Sequence, residues 1–257
     1  MAPHAKSERR TWRGAHNLRK EPGMSQDTTA APSPLPAELV RGYEAFLGAR
    51  FPDERDRFRQ LAESGQKPRI MVVGCCDSRV APEVIFDARP GELFVLRNVA
   101  ALVPPYAPND DYHGTSAALE FAVMGLRVEH VVVMGHALCG GVRAWAEAEA
   151  DPYLRPLSPG DFIGRWIKLI GPAADKLGPP THPLGDYVEK LALESVKQSL
   201  ANLRTFPCIK TLEDKGRLQL HGAYFGVASG RLLALDEAAG VFQPVAAQTL
   251  EENSPRF

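Results

Sequence analysis

The stretch "RIMVVG", residues 69–74, is a short and continuously apolar run rich in β-branched side chains. Such runs are typical of fully buried strands, most often parallel ones. The same pattern returns in "LFVLRNV" (93–99) and "HVVVMG" (130–135), and helical patterns follow in "TSAALEFAVMGL" (115–126) and "GGVRAWAEAEA" (140–150). Buried strands that alternate with helices predict an α/β fold with a central, mostly parallel sheet flanked by helices.

The rest of the chain predicts further helices and one hairpin. Apolar spacing and turn residues place them as follows: helices over 36–51, 53–65, 161–177 and 187–206, and two strands around the turn "ASGR" within 218–236. We expect a disordered leader and linker over 1–35, a single domain over 36–245, and a C-terminal tail over 246–257.

Composition narrows the class of protein. The chain has 257 residues, and its 30 basic and 31 acidic residues leave a net charge of −1, so neither nucleic acid nor membrane is the expected partner. Four cysteines in so long a chain do not form a disulfide scaffold, which favours a reducing, cytoplasmic location. No run of 18 apolar residues is present, so no transmembrane helix is predicted.

Cysteine and histidine follow two of the predicted strands. Cys75 ends the first, while His136 and Cys139 follow "HVVVMG". Because ligands gather at the carboxyl ends of parallel strands, these side chains predict one site with two sulfurs and one nitrogen, a set that zinc takes tetrahedrally. Three protein ligands would leave a fourth position free, as in catalytic zinc sites. Cys208, after a long helix, is interpreted as a core or loop cysteine.

"CCDSR" (75–79) adds an acid and a base beside this site. Asp77 could become a fourth metal ligand, or it could pair with Arg79 and leave that position free for water. If the chain stays extended over 75–79, Cys75, Asp77 and Arg79 share one face while Cys76 faces away.

Together these motifs resemble the β-class carbonic anhydrases. The residues that carry the resemblance are "CCDSR", "RPGELFVLRNVA", "LVPPY", "GTSAALEFAV", "GHALCGG" and "LHGAYF", in this order, covering about 36–245. The resemblance implies one Zn²⁺ per subunit on Cys75, His136 and Cys139, with Asp77 able to join them. It implies reversible hydration of CO2 to bicarbonate and a proton, by attack of zinc-bound hydroxide that Asp77 and Arg79 orient.

The resemblance also assigns a substrate pocket and an assembly. Gln66, Phe94, Val99, Phe121 and Gly140 match pocket residues of the family. It implies a homodimer or homotetramer in which the N-terminal helices pack on a neighbouring subunit. One subgroup closes its site with bicarbonate and carries a tryptophan where this chain has Val72, so the open form is expected.

Several alternatives stay open at this level. His113 and Tyr112 are candidates for proton export by chemistry and position alone. The same site residues would also suit an enzyme acting on carbon disulfide or carbonyl sulfide. A non-catalytic zinc or redox protein could use the Cys75–Cys76 thiols, and the basic leader within residues 1–23 could bind nucleic acid.

Overall fold

The computed structural model describes residues 33–109, 111–151 and 153–245. It separates into two compact units, one up to Asp53 and one from Glu54 onward. The predicted leader (1–32 of it) and C-terminal tail lie outside the described residues. None of the described helices is both long and apolar enough to cross a bilayer.

Helices form the first described part of the chain, up to Ser64, and several apolar side chains of the first helix are exposed. Helix α1 spans Ala37–Ala45, a π-helical turn follows at Phe46–Arg50, and helix α2 spans Phe51–Ser64. No residue of α1 is buried. Leu35, Leu39, Tyr43 and Leu47 recur every four residues and are all exposed. Because residues about four apart share one face of a helix, Leu39, Tyr43 and Leu47 form an apolar stripe, which Leu35 just before the helix extends and which we call the α1 stripe.

The second unit contains a six-stranded sheet with the order β2-β1-β3-β4-β5-β6. The strands are β1 Ile70–Cys75, β2 Leu93–Asn98, β3 His130–His136, β4 Gln219–Phe225, β5 Leu232–Asp236 and β6 Val241–Pro244. The first four are parallel, and the last two are antiparallel. This confirms the mostly parallel α/β sheet and the hairpin over 218–236.

Helices complete this unit. They are α3 Pro82–Ile85, α4 Gly114–Glu120, α5 Gly140–Ala150, α6 Phe162–Ile167, α7 Gly171–Ala174, α8 Leu184–Leu203 and α9 Pro207–Asp214. The single helix predicted over 161–177 is wrong, because a 3₁₀ turn at Lys168–Ile170 divides it. Cys208 lies in α9, where it packs partly buried against the core, as its interpretation as a core cysteine predicts.

The core lies mainly on one face of the sheet. Helix α8 packs there, with Val196 and Leu200 in one cluster with Val73 and Val133. The opposite face, which we call the open face, carries a smaller cluster of Val72, Met134 and Ala223. Among the described helices, only α3 contributes to that cluster, through Ile85.

Candidate metal centre

Three ligand atoms meet where two neighbouring parallel strands end. β1 ends at Cys75 and β3 ends at His136, while Cys139 immediately precedes α5. The two sulfurs and one imidazole nitrogen all lie within 4.8 Å of one another. All three residues are buried, with 5%, 1% and 2% of their surface exposed. The strand order that places β1 beside β3 therefore brings together residues 61 positions apart in sequence.

The His136 ring is prepared to coordinate through one nitrogen. Its Nδ1 lies 2.9 Å from the carbonyl oxygen of Ala137, to which it donates as N–H. This contact fixes the tautomer and leaves the lone pair on Nε2. Nε2 is buried and has no hydrogen-bond partner among the described residues. A buried polar atom without a partner is costly in a folded protein, and a metal ion at this point would satisfy it.

The two thiols influence each other's charge. Cys139 donates a hydrogen bond that lowers the pKa of Cys75, and the same contact raises the pKa of Cys139. The backbone amides of Val142 and Gly141, at the start of α5, favour the Cys139 thiolate. Burial opposes charge on His136, but the nearby Cys75 sulfur contributes to a net rise in the pKa of the imidazole. A cation between these groups would relieve the repulsion that makes the second thiolate costly.

The donor set fits zinc. Two thiolates and one imidazole are ligands that Zn²⁺ binds tetrahedrally, and three protein ligands leave one position open. Bound thiols must lose their protons, so metal affinity at this centre falls as pH falls.

The Asp77 carboxylate is paired with Arg79 and is not among the three residues whose ligand atoms meet. The guanidinium donates from Nε to Oδ1 at 2.9 Å and from Nη2 to Oδ2 at 2.7 Å, and the Arg79 backbone N–H donates to Oδ1 at 3.0 Å. Arg79 Nη2 also donates to the carbonyl of Leu138 at 3.2 Å, which ties the pair to the loop between His136 and Cys139. The side-chain bonds from Arg79 hold the pKa of Asp77 well below its ordinary range, so the carboxylate is charged.

The prediction of an extended chain over 75–79 is wrong beyond Cys75. β1 ends there, and a turn at Ser78 and Arg79 folds the guanidinium back onto Asp77. Cys75 is buried and Cys76 exposed, as alternation predicts. The two neighbouring cysteines are therefore in different environments, and only Cys75 joins the metal-ligand group.

Arg97 supports this turn from the neighbouring strand, and sequence reasoning did not assign it a role. Its Nε donates to the carbonyl of Cys75 at 2.8 Å, and its Nη2 donates to the carbonyl of Asp77 at 2.6 Å. The signal in the sequence is a charged residue inside the apolar strand "LFVLRNV". Since buried carbonyls need partners, this arginine fixes the position of the ligand loop.

Val99 and the loop after it lie against the metal-ligand loop. Val99 accepts a hydrogen bond from Trp166 Nε1 at 2.8 Å through its carbonyl, and its side chain lies beside Gly141. Ala100 and Ala101 follow in the left-handed region, with φ of 64° and 55°. That conformation is unfavourable for alanine and is adopted more readily by glycine, asparagine and aspartate.

Comparison with known proteins identifies the chain. Residues 70–232 match the sequence profile of the carbonic anhydrase family. A carbonic anhydrase of Pseudomonas aeruginosa is 34% identical over 210 residues, which cover 81% of this chain and 91% of that protein. A second, from Synechococcus elongatus, is 32% identical over 205 residues, covering 79% and 72%.

Similarity to solved structures shows to which class of carbonic anhydrase the chain belongs. The β-carbonic anhydrase CcaA is similar with a TM-score of 0.69 and 29% identity, covering 82% of this chain and 92% of that one. The chain belongs to the β-class carbonic anhydrases. A tetrameric β-carbonic anhydrase of Sordaria macrospora is also similar to this carbonic anhydrase, with a TM-score of 0.65 and 28% identity over 77% of this chain and 95% of that one.

The predicted pocket residues of this carbonic anhydrase fall into two groups. Val99 and Gly140 lie beside the metal ligands, whereas the other three lie elsewhere. Gln66 is exposed and precedes the start of β1, and Phe94 pairs with Met71. Phe94 is therefore about 13 Å from the level of Cys75 along the strand. The Phe121 ring, 53% exposed, packs on Phe94 with centroids 5.9 Å apart.

The two candidates for proton export lie near the start of α4 rather than in the metal-ligand group. His113 Nε2 is 2.5 Å from Oδ1 of Asn109, and Tyr112 is fully exposed. His113 lines a separate cavity of about 590 Å³, together with Tyr106 and Cys208. Their role in proton export stays a prediction.

Proposed function

We propose that this carbonic anhydrase catalyses the reversible hydration of CO2 to bicarbonate with one zinc ion held by Cys75, His136 and Cys139. The observation that carries the proposal is the unpartnered, buried Nε2 of His136 beside two thiols. The pairing of Asp77 with Arg79 supports an open fourth position, because the carboxylate already accepts three hydrogen bonds.

Zinc at this centre would supply a Lewis acid that lowers the pKa of water to near neutrality. The protein's own groups would then orient the reactants. The charged Asp77 carboxylate can accept a hydrogen bond from the nucleophile, and Arg79 keeps that carboxylate aimed. Gly140 begins α5, and its position opens onto unfilled space, so its amide can face the substrate. The apolar side chain of Val99 suits an apolar molecule such as CO2.

We further propose that a homodimer, or a tetramer made of such dimers, completes each site. Gln66, Phe94 and Phe121 are too far from the ligands of their own chain, and Phe121 is half exposed, so they would serve the neighbouring subunit's centre. The residues of the α1 stripe are exposed, and no residue of α1 is buried. The stripe is therefore the surface through which the N-terminal helices would pack on that neighbour. A cytoplasmic enzyme is consistent with four free cysteines.

Stopped-flow CO2 hydration together with zinc analysis tests the proposal. We expect about one zinc per subunit and CO2 hydration in the intact enzyme, and loss of both in Cys139→Ser because a thiolate ligand is removed. Cys76→Ser is the matched control, since Cys76 is exposed and outside the ligand group. It should keep both zinc and activity.

Two results would contradict the proposal. Zinc-loaded protein that hydrates no CO2 would refute the reaction, and activity toward carbon disulfide or carbonyl sulfide alone would favour that alternative. Equal loss of zinc in the Cys76 and Cys139 variants would instead favour a paired-thiol site.

A further inference from the structure

Two histidines meet on the open face of the sheet, away from the zinc-ligand group. His130 begins β3, and His221 lies in β4 opposite Val132, so the two are diagonal neighbours on adjacent strands. His130 Nδ1 and His221 Nε2 are 3.1 Å apart, and the ring planes are inclined by 43°. With one shared proton this contact is a hydrogen bond between neutral imidazoles.

The same separation also suits chelation of a metal ion. Two nitrogens that each lie about 2.0–2.1 Å from one metal are about 2.8–3.4 Å apart for angles between about 90° and 109°. The 3.1 Å between His130 Nδ1 and His221 Nε2 falls within that range. When the donating ring changes tautomer, its hydrogen moves from the facing nitrogen to the outer one, so both rings stay neutral and both facing atoms offer a lone pair.

The surroundings keep this pair available to a cation. Partial loss of hydration beside its neighbours, followed by the proximity of His130, holds the pKa of His221 below its ordinary value, although Glu237 acts in the opposite direction. The neutral form that binds metals therefore predominates near pH 7. His221 itself is exposed, so an ion can reach it.

Two carboxylates add negative potential without supplying a preformed third ligand. Glu129 interacts electrostatically with His130, and Glu237 with His221. Each also forms an ion pair, Glu129 with Arg69 and Glu237 with Arg204. Within residues 33–245 as described, the only group of three close ligand residues is the zinc-ligand group. The remaining positions on an ion at the histidine pair would therefore be filled by water.

We propose that His130 and His221 form a second metal site, selective for divalent ions that prefer imidazole and bind two cis nitrogens, such as Ni²⁺ and Cu²⁺. Such ions accept two histidines and several waters in tetragonal or octahedral geometry. An ion bound there would link β3 to β4 at the start of β3, at the other end of that strand from His136.

Titration calorimetry of the zinc-loaded, full-length enzyme with Ni²⁺ tests this site. Ni²⁺ is the probe because Cu²⁺ would also oxidise thiols. We expect a binding event in addition to the resident zinc, weakened about tenfold or more in His130→Gln and in His221→Gln because one of two protein ligands is lost. His113→Gln, which changes a partly exposed histidine just before α4, should bind Ni²⁺ as the unaltered enzyme does. Zinc measured before and after titration shows that the ligand thiols keep their metal.

A second measurement separates loss of ligand from loss of fold. Ni²⁺ should raise the melting temperature of the unaltered enzyme and of His113→Gln, but not that of the two pair variants, which should melt normally without Ni²⁺. Unchanged Ni²⁺ affinity in both His130→Gln and His221→Gln would overturn the proposal. So would zinc-loaded enzyme that binds no Ni²⁺.

Discussion

The adjacent glycines Gly140 and Gly141 should respond in opposite ways to alanine. A Cβ on Gly141 would lie 2.7 Å from Val99 Cγ1 and 3.1 Å from the Cβ of Ala100, closer than side chains pack. A Cβ on Gly140 would meet nothing within 4 Å. Both residues belong to the first turn of α5, so the two substitutions share the same helix and differ in their surroundings.

The expected magnitudes follow from these contacts. Replacing glycine by alanine in a helix gains at most about 1 kcal/mol at either position. Overpacking costs about 1–3 kcal/mol at Gly141 only. The two variants should therefore differ in unfolding free energy by about 1–3 kcal/mol, with Gly140→Ala the more stable. For a chain of this size, a difference of about 2 kcal/mol corresponds to about 4–8 °C in melting temperature.

Thermal unfolding and CO2 hydration of the two zinc-loaded variants check this reasoning. Gly140→Ala should keep its stability but lose activity, because its methyl group enters the space where we place the substrate. Gly141→Ala should lose stability, since Val99 and the ligand loop must separate. Equal melting temperatures, or a Gly141→Ala variant more stable than Gly140→Ala, would refute the reasoning.

Further predictions concern the loops around the centre. Arg79→Met frees the Asp77 carboxylate to turn away from the nucleophile, and because the pair is partly exposed we expect a moderate loss of CO2 hydration, about 5–30-fold, in the stopped-flow assay. Arg97→Met removes two charged hydrogen bonds and should lower the free energy of unfolding by about 2–4 kcal/mol in denaturant titrations. Asn98→Ala removes the side chain that bonds both the N–H and the carbonyl of Leu102, and should cost about 1–3 kcal/mol in the same assay. Zinc retained during dialysis should decrease as pH falls, because protons compete for the ligands; retention independent of pH would contradict the thiolate assignment.

Much of the fold could be predicted because the buried strands are continuous apolar runs rich in β-branched residues. "RIMVVG" and "HVVVMG" correspond closely to β1 and β3, and their adjacency in the sheet gathers the three predicted zinc ligands. The turn beside the site and one helix break could not be predicted from the sequence. The turn that folds Arg79 onto Asp77 and the break at Lys168–Ile170 depend on tertiary packing, which periodicity does not report.

The strand β6 and the helix α9 were not predicted for a related reason. β6, at Val241–Pro244, is a short edge strand that ends in proline, and α9 begins with proline after a phenylalanine turn. A four-residue strand and a short helix that begins with proline leave little periodicity by which a single sequence could predict them. The role of Arg97 was also missed, since its partners are backbone carbonyls that carry no signature in the sequence.

Gln66 and Phe94 lie near the start of β1, whereas the zinc ligands lie at its end, and this separation has a consequence for genetic complementation. If each centre is built from two chains, two inactive variants can restore each other, one lacking Cys139 and the other lacking Gln66 and Phe94. Chains mixed at random in equal amounts give mixed dimers in half of the cases, each with one intact centre of two, or about a quarter of the normal number. Co-expression of the two alleles would then recover activity that neither supplies alone, whereas a centre built within one chain would recover none.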